Sequence, residues 1–329
     1  MNGNVVLSLL LVLLLNPGPT WSLDRVYLSH SAIAGPQAFL AVTRDAGLFR
    51  KYDLDPQIVF IAGGPVNIAA LVSGEVQFAI VAGPAAISAN VQGADVVVTM
   101  SFVNSWDLSL FAHPSIKKPA DLKGKKIGIS APGSTNDFGG RLALKKWGLQ
   151  ADKEVAMLAV GAQPQRFAAL QTGRVDATLL QPPFTLKARQ AGFSDLGSLG
   201  DLGLEDYLAT CIATTRTIVQ KNEQLVRRVV KVFVEGVHFF KTNKEASMRS
   251  IAKFTKIDDP AAVEEAYNTY GIKLLPRVPY PTPRGIEVIL EDLAAKNPKA
   301  RAGDPKRFME TRFLKELEDS GFINQLYKQ

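Results

Sequence analysis

The sequence predicts an α/β protein made of two similar lobes, with a helical segment at its C-terminal end. Three observations carry this prediction. Strand-like and helix-like segments alternate along the first two thirds of the chain, one stretch recurs about a hundred residues later, and two extended segments lie between the repeated parts. Alternation of this kind predicts parallel sheets that are connected by right-handed crossovers and covered by helices on both faces.

The composition is that of a folded protein with a substantial core. The chain has 329 residues, of which 47% are hydrophobic and 21% are charged, so disorder is excluded and roughly two domains are expected. A single cysteine excludes a disulfide framework and a multi-cysteine metal site. The formal charge of +7 is a mild basic excess that could help to attract an anion, but it identifies no partner.

The first 22 residues are predicted to be a cleaved export signal. Residues 5–15 form an apolar run that would rise about 16 Å as a helix, too short for a bilayer core of about 30 Å. A Pro-Gly-rich stretch follows, and then Thr20 and Ser22 supply small residues typical of a cleavage site near Ser22. No Lys or Arg precedes the run. A buried N-terminal helix is the alternative, but the run has no polar face.

An internal repeat organises the next part of the chain. Residues 65–94 and 164–193 align without gaps and share nine identities, among them Ala-Ala-Leu, a glycine three residues later and a proline near the middle. A period near one hundred residues is too long for a solenoid, so the repeat predicts two lobes of similar fold.

Each lobe is predicted as a β-loop-α-β-α-β-α unit. In lobe one the predicted strands are 24–30, 56–61 and 77–81, and the predicted helices are 37–50, 65–73 and 84–92. In lobe two the predicted strands are 125–130, 154–160 and 175–180, and the predicted helices are 135–147, 164–172 and 182–191.

Two extended segments, 95–112 and 208–215, are predicted to carry the chain between the lobes as a hinge. We therefore assign 23–107 with 212–329 to lobe one and 108–211 to lobe two. The last third, from 216, is predicted to be mostly helical, interrupted by a proline-rich loop at 276–283. Its apolar positions at helical spacing are Val226, Val229, Val230, Phe233, Val237 and Phe240.

The chain resembles the periplasmic solute-binding proteins of nitrate/sulfonate/taurine-type ABC importers, which share a superfamily with thiamine-precursor (pyrimidine synthase-like) proteins. The resemblance spans about residues 24–255 and rests on residues 46–54 (AGLFRKYDL), the two Ala-Ala-Leu segments, 121–128 (DLKGKKIG) and 133–138 (GSTNDF). It implies a two-lobed type II periplasmic binding-protein fold with two doubly wound sheets, two hinge crossings and a helical C-terminal extension. It also implies delivery of a small-molecule ligand to an ABC permease in the inner membrane.

The ligand is expected where the parallel strands end, because ligands of open α/β sheets bind at the loops that lead into helices. Glycine and proline recur in these loops, and helix N-termini can hold an anion without a lysine. The residues predicted to bind ligand are Ser31, Gly35, Pro36, Gly63, Gly64, Gly83 and Pro84 in lobe one, and Ser134, Thr135, Asn136, Gln163, Gln181 and Pro182 in lobe two. Ser134 and Thr135 are also suited to an ordinary helix cap, a role that can coexist with the ligand contact favoured here.

Charge and aromatic residues refine this expectation. Between 56 and 112 the ionised side chains are Glu75, Asp95 and Asp107, so the lobe-one loops carry no cation, and a monoanion or a neutral polar ligand fits better than a dianion. Trp106 could stack on a planar ligand, although packing inside the hinge is favoured. His30 is interpreted as a partly buried strand residue. Arg284 could reach the cleft, but the sequence does not place it.

We therefore predict an exported, monomeric, periplasmic substrate-binding protein, neither an enzyme nor a nucleic-acid binder, with no cofactor and no metal. The sequence does not identify the ligand, which could be a sulfonate, taurine, an aromatic anion or a thiamine-precursor pyrimidine. An enzyme on the same fold is the main alternative, but the loop 31–36 lacks the nucleophilic cysteine that the resemblance to sulfinate desulfinases would require, and a pyrimidine synthase's cysteine cluster is absent. A ligand-sensing partner of a membrane receptor is a third possibility, since it would use the same closure.

Overall fold

The computed structural model describes residues 23–203, 206–295 and 297–328. The predicted signal peptide, residues 1–22, lies outside this part of the chain. None of the helices in the described ranges has the length and apolar character that a membrane span needs.

Ten strands are present in the described residues, and all six predicted strands are among them. They are β1 (Asp24–His30), β2 (Leu54–Phe60), β3 (Phe78–Val81), β4 (Val96–Val103), β5 (Ser109–Ala112), β6 (Lys126–Ile129), β7 (Ala156–Ala159), β8 (Ala177–Leu180), β9 (Ser194–Ser198) and β10 (Thr210–Thr215). The sequence did not predict β9, a short strand with two serines and a glycine and therefore without an apolar pattern.

The helices follow the strands in the predicted order. They are α1 (Ala38–Asp45), α2 (Leu48–Lys51), α3 (Gly64–Val72), α4 (Gly83–Val91), α5 (Thr135–Lys146), α6 (Gln163–Gln171), α7 (Phe184–Gln190), α8 (Arg216–Lys221), α9 (Glu223–Thr242), α10 (Lys244–Thr255), α11 (Pro260–Tyr267), α12 (Pro283–Ala294), α13 (Arg312–Asp319) and α14 (Phe322–Leu326). A π-helical turn, Asn268–Leu274, continues α11. The single helix predicted over 37–50 is split, because Gly47 adopts a left-handed φ of 72° between α1 and α2.

The strands form two five-stranded sheets, with orders β2-β1-β3-β10-β4 and β7-β6-β8-β5-β9. We call the part built on the first sheet lobe one and the part built on the second lobe two. The predicted strands β1, β2 and β3, and likewise β6, β7 and β8, pair in parallel as expected. Both sheets are nevertheless mixed, because β10 runs antiparallel to β3 and β4, and β5 runs antiparallel to β8 and β9. The reason is that each crossing carries the chain into the next sheet from the edge where the parallel strands end.

The two crossings lie side by side and join the lobes. The N–H groups of Tyr207 and Ala209 donate to the carbonyls of Asn104 and Val103, at 3.1 and 2.9 Å. In the C-terminal third, α9 and α10 pack on α1, and α12 packs on α4, so this region covers lobe one. The predicted apolar face of α9 is confirmed, since all six of its predicted core residues are buried.

The lobes also meet across the cleft. The Gly35 N–H donates to the Pro182 carbonyl at 3.1 Å, and a β-carbon built at Gly63 would lie 3.1 Å from the β-carbon of Ala131. Gly35 and Gly63 belong to lobe one, whereas Pro182 and Ala131 belong to lobe two. The structure is therefore a closed arrangement of the two lobes.

Candidate functional site

A cavity of about 590 Å³, including its open mouth, lies between the lobes where the parallel strands of both sheets end. The residues that line it are Ser31, Ala32, Ala34, Pro36, Gln37, Gly63, Gly64, Ala82, Ala85, Leu108, Ser130, Gly133, Ser134, Thr135, Asn136, Ala162, Gln163, Arg166, Gln181, Ala209 and Thr210. Most of these side chains are small, and the only charged one is Arg166. The cavity walls therefore carry one positive charge.

Four helices begin at this cavity. The first residues of α3, α5 and α6 line it directly, whereas α4 lines it through Ala82, just before its start, and Ala85. Three of these helices have proline in their first turn, which suits a position whose N–H has no partner within the helix. Each N-terminus carries about half a positive charge, so the starts of α3, α5 and α6 together favour an anion in the space between them.

Arg166 is the most informative residue of the site. It lies on α6 with 3% of its surface exposed, and its Nη1 and Nη2 donate to the carbonyls of Gly161 and Leu179 at 3.0 and 3.3 Å. Its Nε has no hydrogen-bond partner in the described part of the chain, and burial lowers the pKa of Arg166 to about 9, with no carboxylate opposing this shift. The guanidinium is thus protonated at neutral pH and lacks a counter-ion in the described residues.

Most polar groups of the loop before α5 are hydrogen-bonded within the loop and the first turn of the helix. The Ser134 hydroxyl accepts from the Asp137 N–H at 3.4 Å and donates to Asn136 Oδ1 at 3.1 Å, and Asn136 Oδ1 also accepts from the Ser130 N–H at 2.7 Å. Thr135 also lines the cavity, and its hydroxyl takes no part in these bonds. Thr135 is therefore the hydroxyl of this loop that is left for a ligand.

In lobe one the corresponding loop is held by Gln37, which is buried. Its Nε2 donates to Ser31 Oγ and its Oε1 accepts from the Ala32 N–H, both at 3.0 Å. His30, just before this loop, lies between the rings of Phe60 and Phe254, and burial lowers the pKa of its imidazole. His30 is therefore a buried residue of β1 that packs against two phenylalanines, and it is not among the residues that line the cavity.

Gln163 and Gln181 line the cavity, and their side-chain amides make hydrogen bonds to other protein groups. The Gln163 side chain donates to the Gln181 carbonyl at 3.0 Å and accepts from the Gln181 N–H at 3.1 Å. The Gln181 side chain in turn donates to Asp107 Oδ1 at 2.8 Å. These hydrogen bonds fix the loop between β8 and α7 against α6, and they do not involve the side-chain oxygen of Gln181.

The structure brings together nine of the residues predicted to bind ligand. Those that line the cavity are Ser31, Pro36, Gly63, Gly64, Ser134, Thr135, Asn136, Gln163 and Gln181. Gly35, Gly83, Pro84, Pro182 and Trp106 are not among the lining residues.

Three of the residues outside the cavity have clear local roles. The Gly83 N–H donates to the Leu208 carbonyl at 2.8 Å, so it is unavailable to a ligand. Trp106 stacks on Tyr207 with ring centroids 3.5 Å apart, inside the hinge. Arg284 pairs with Glu287 and Glu291 on its own helix, with half of its side chain exposed.

Sequence reasoning missed Arg166, although the repeat contained a signal for it. In the alignment of the two lobes Arg166 corresponds to Asn67, which is also polar, also buried, and hydrogen-bonded to Ser29 at 2.5 Å and to the Ile61 carbonyl at 3.3 Å. A polar residue at the same position of both helices, next to the apolar Ala-Ala-Leu segment, indicates a place that faces the ends of the strands.

The comparisons with known proteins agree with this architecture. A family model described as "NMT1/THI5 like" matches residues 37–247. A "putative binding protein" of Brucella abortus (strain 2308) is 30% identical over 231 residues, which are 69% of this chain and 70% of that protein.

Solved structures show the same fold. A protein from Bordetella bronchiseptica RB50 superposes with a TM-score of 0.80 at 22% identity, over 93% of this chain and 98% of that one. The alkanesulfonate-binding protein SsuA from Xanthomonas axonopodis pv. citri, bound to MOPS, gives 0.69 at 18% identity over 84% and 94%. The periplasmic nitrate-binding protein NrtA from Synechocystis PCC 6803 gives 0.74 at 14% identity over 91% and 89%.

Proposed function

Because this chain belongs to the NMT1/THI5-like family, we propose that it is the substrate-binding protein of an ABC importer and that it captures a compact organic monoanion between its lobes. The protein would act outside the cytoplasm after removal of residues 1–22 and deliver its ligand to a membrane permease. The N-terminal sequence and the names of the relatives support this proposal.

The buried Arg166 is the observation that carries the proposal. A protonated guanidinium that is removed from water without a counter-ion is costly, and a bound anion offsets that cost. The hydrogen bonds from a charged donor contribute about 1.5–3 kcal/mol each, more than neutral ones. Thr135 and Gly64 would supply the remaining contacts, through one hydroxyl and the first N–H group of α3.

The lining favours a small ligand with a short aliphatic part. No aromatic side chain belongs to the cavity wall in the described residues, and alanine, glycine and serine make up most of it. Trp106, the candidate for stacking on a planar ligand, lies in the hinge instead. A short alkanesulfonate, a taurine-like compound or a short carboxylate therefore fits better than an aromatic anion.

Two observations support a binding role over a catalytic one. The curated relative is named as a binding protein, and Cys211, the only cysteine in the sequence, is buried in β10, where burial raises the pKa of its thiol strongly. A thiol in that setting is a poor nucleophile. The sensor role uses the same cavity and would be recognised by co-purification with a receptor in place of a permease.

The proposal is tested by measuring which anions stabilise the purified protein. The protein is unfolded, dialysed to remove bound ligand and refolded in Tris buffer, because a sulfonate buffer could occupy the cavity. Melting temperatures are then recorded with short alkanesulfonates, taurine, short carboxylates, nitrate, benzenesulfonate and an uncharged aminopyrimidine. An anion present at 100 times its Kd should add about 2.7 kcal/mol of stability.

The matched variants are Arg166→Gln and Arg174→Gln, which remove the same charge from the cavity and from an exposed turn of lobe two. We expect Arg166→Gln to weaken binding of the stabilising anion about tenfold or more, and Arg174→Gln to leave it unchanged. Equal affinity in the two variants would refute the role of Arg166. Conversion of the anion to a product would establish the enzyme alternative.

A further inference from the structure

Residues 260–274, which form α11 and the π-helical turn, reach from lobe one to lobe two. We call them the strap. The strap packs on α10, α9 and β4, all of which belong to lobe one. It also contacts α7 of lobe two, without passing through either hinge crossing. The strap is therefore a third connection between the lobes.

Glu265 makes the outer contact of the strap. Its Oε2 accepts hydrogen bonds from the Thr185 hydroxyl at 2.8 Å and from the Leu186 N–H at 3.3 Å, and its Oε1 pairs with Arg189 at 2.9 Å. All three partners lie on α7. A carboxylate of one lobe thus satisfies the first turn of a helix in the other, a favourable place for negative charge.

Tyr270 makes the inner contact of the strap. Its side chain is buried, and its hydroxyl donates to Asp107 Oδ2 at 2.9 Å, while Asp107 Oδ1 accepts from the cavity residue Gln181 at 2.8 Å. The same ring fills the space beside Gly35, where an added β-carbon would lie 2.2 Å from Tyr270 Cε2. Gly35 is the residue whose N–H binds the Pro182 carbonyl of lobe two.

We propose that the strap stabilises the closed arrangement of the lobes independently of any ligand. Glu265 bonds directly to α7 of lobe two, and Tyr270 is linked to Gln181 of lobe two through the hinge residue Asp107. Opening the cleft would break the first contact and disrupt the second. The strap then sets the fraction of ligand-free protein that is closed. Given the proposed function, it also tunes affinity, because the apparent Kd is the intrinsic Kd divided by that fraction.

The closed fraction of the ligand-free protein is measured by disulfide trapping across the cleft. In the closed arrangement the β-carbons of a Gly63→Cys, Ala131→Cys pair would lie 3.1 Å apart, so a small shift brings them to the separation of about 3.8 Å that a disulfide prefers. The left-handed φ of 87° at Gly63 strains the new cysteine equally in every variant compared, and Cys211 is buried away from oxidant. The rate at which a fixed oxidant closes the bond then follows the population of the closed state. No anion is added, so the result is independent of the ligand proposal.

Three changes are compared in this background: Glu265→Ala, Tyr270→Phe and the control Glu264→Ala. Glu264 is the neighbouring residue on α11, and its ion pair with Lys244 stays within lobe one. We expect Glu265→Ala and Tyr270→Phe to slow trapping about threefold or more and Glu264→Ala to leave the rate unchanged. If Glu265→Ala does not fold, Glu265→Gln replaces it.

Two results would overturn the proposal. One is an equal trapping rate in the Glu265, Glu264 and parent backgrounds. The other is the absence of trapping in the parent, because the strap would then not hold the lobes together without ligand. Loss of anion binding by Arg166→Gln with unchanged trapping would leave both proposals standing.

Discussion

Asp107 lies where the chain first passes between the lobes, and its carboxyl oxygens accept hydrogen bonds from Gln181 and Tyr270. Desolvation raises the pKa of Asp107 from 3.8 to about 6, in spite of these hydrogen bonds. The folded protein therefore holds this proton more tightly than the unfolded chain does. The stabilisation is fully present below pH 3.8 and is lost as the pH rises to about 6.

Replacing Asp107 by asparagine should remove this dependence. Asparagine can accept from Gln181 and donate to the tyrosine hydroxyl, so the local contacts can be kept. The free energy of unfolding of the wild type, minus that of Asp107→Asn, should fall between pH 4 and 6 by on the order of 1 kcal/mol, since the residue keeps some exposure to water. Urea titrations across this pH range measure the difference. A constant difference would show that Asp107 does not titrate there.

At the scale of single elements, Ser134 and Thr135 at the start of α5 have different roles in the structure. The sequence had suggested both helix capping and ligand binding for each of them. Ser134 is the helix cap, with its hydroxyl bonded to the Asp137 N–H and to Asn136, whereas the hydroxyl of Thr135 stands outside these bonds at the cavity wall. Two neighbouring hydroxyls with similar side chains are therefore expected to affect different properties.

We predict that Ser134→Ala lowers the free energy of unfolding by about 1 kcal/mol, the usual cost of losing an N-cap, and changes ligand affinity little. Thr135→Ala should do the reverse and weaken anion binding severalfold at unchanged stability. Chemical denaturation and calorimetric titration with the stabilising anion measure the two effects. The assignment fails if the two substitutions give the same pattern.

At the scale of the whole molecule, closure should be visible at the hinge. Trp106 of the first crossing stacks on Tyr207 of the second and lies parallel to Phe138 of α5, with ring centroids 3.5 and 6.0 Å away. Rotation of lobe two about the crossings would move Phe138 relative to the indole ring. The fluorescence of Trp106 should therefore change when an anion closes the cleft.

The comparison of Trp106→Phe with Trp147→Phe tests this expectation. Trp147 ends α5 inside lobe two, and it should keep its surroundings when the lobes move. We expect the anion-induced change in emission to disappear in Trp106→Phe and to persist in Trp147→Phe. Persistence in both variants would mean that the hinge stack does not sense closure.

The sequence by itself determined the order of strands and helices, the duplication into two lobes, and nine of the cavity residues. These features follow from local properties: hydrophobic period, glycine and proline in the loops, and the rule that strands of one direction end at one edge. The predicted loops surround the cavity for that reason. The family resemblance likewise rested on contiguous motifs, and the family model matches residues 37–247.

Only the tertiary structure decided which polar groups remain free and which residues of distant segments meet. Arg166 is a buried cation that donates to the carbonyls of Gly161 and Leu179, and the Gly83 N–H is hydrogen-bonded to the second crossing. Glu265 and Tyr270 find their partners 76 and 163 residues away. Hydrogen-bond pairing and desolvation depend on packing between such segments, so no local pattern in the sequence reveals them.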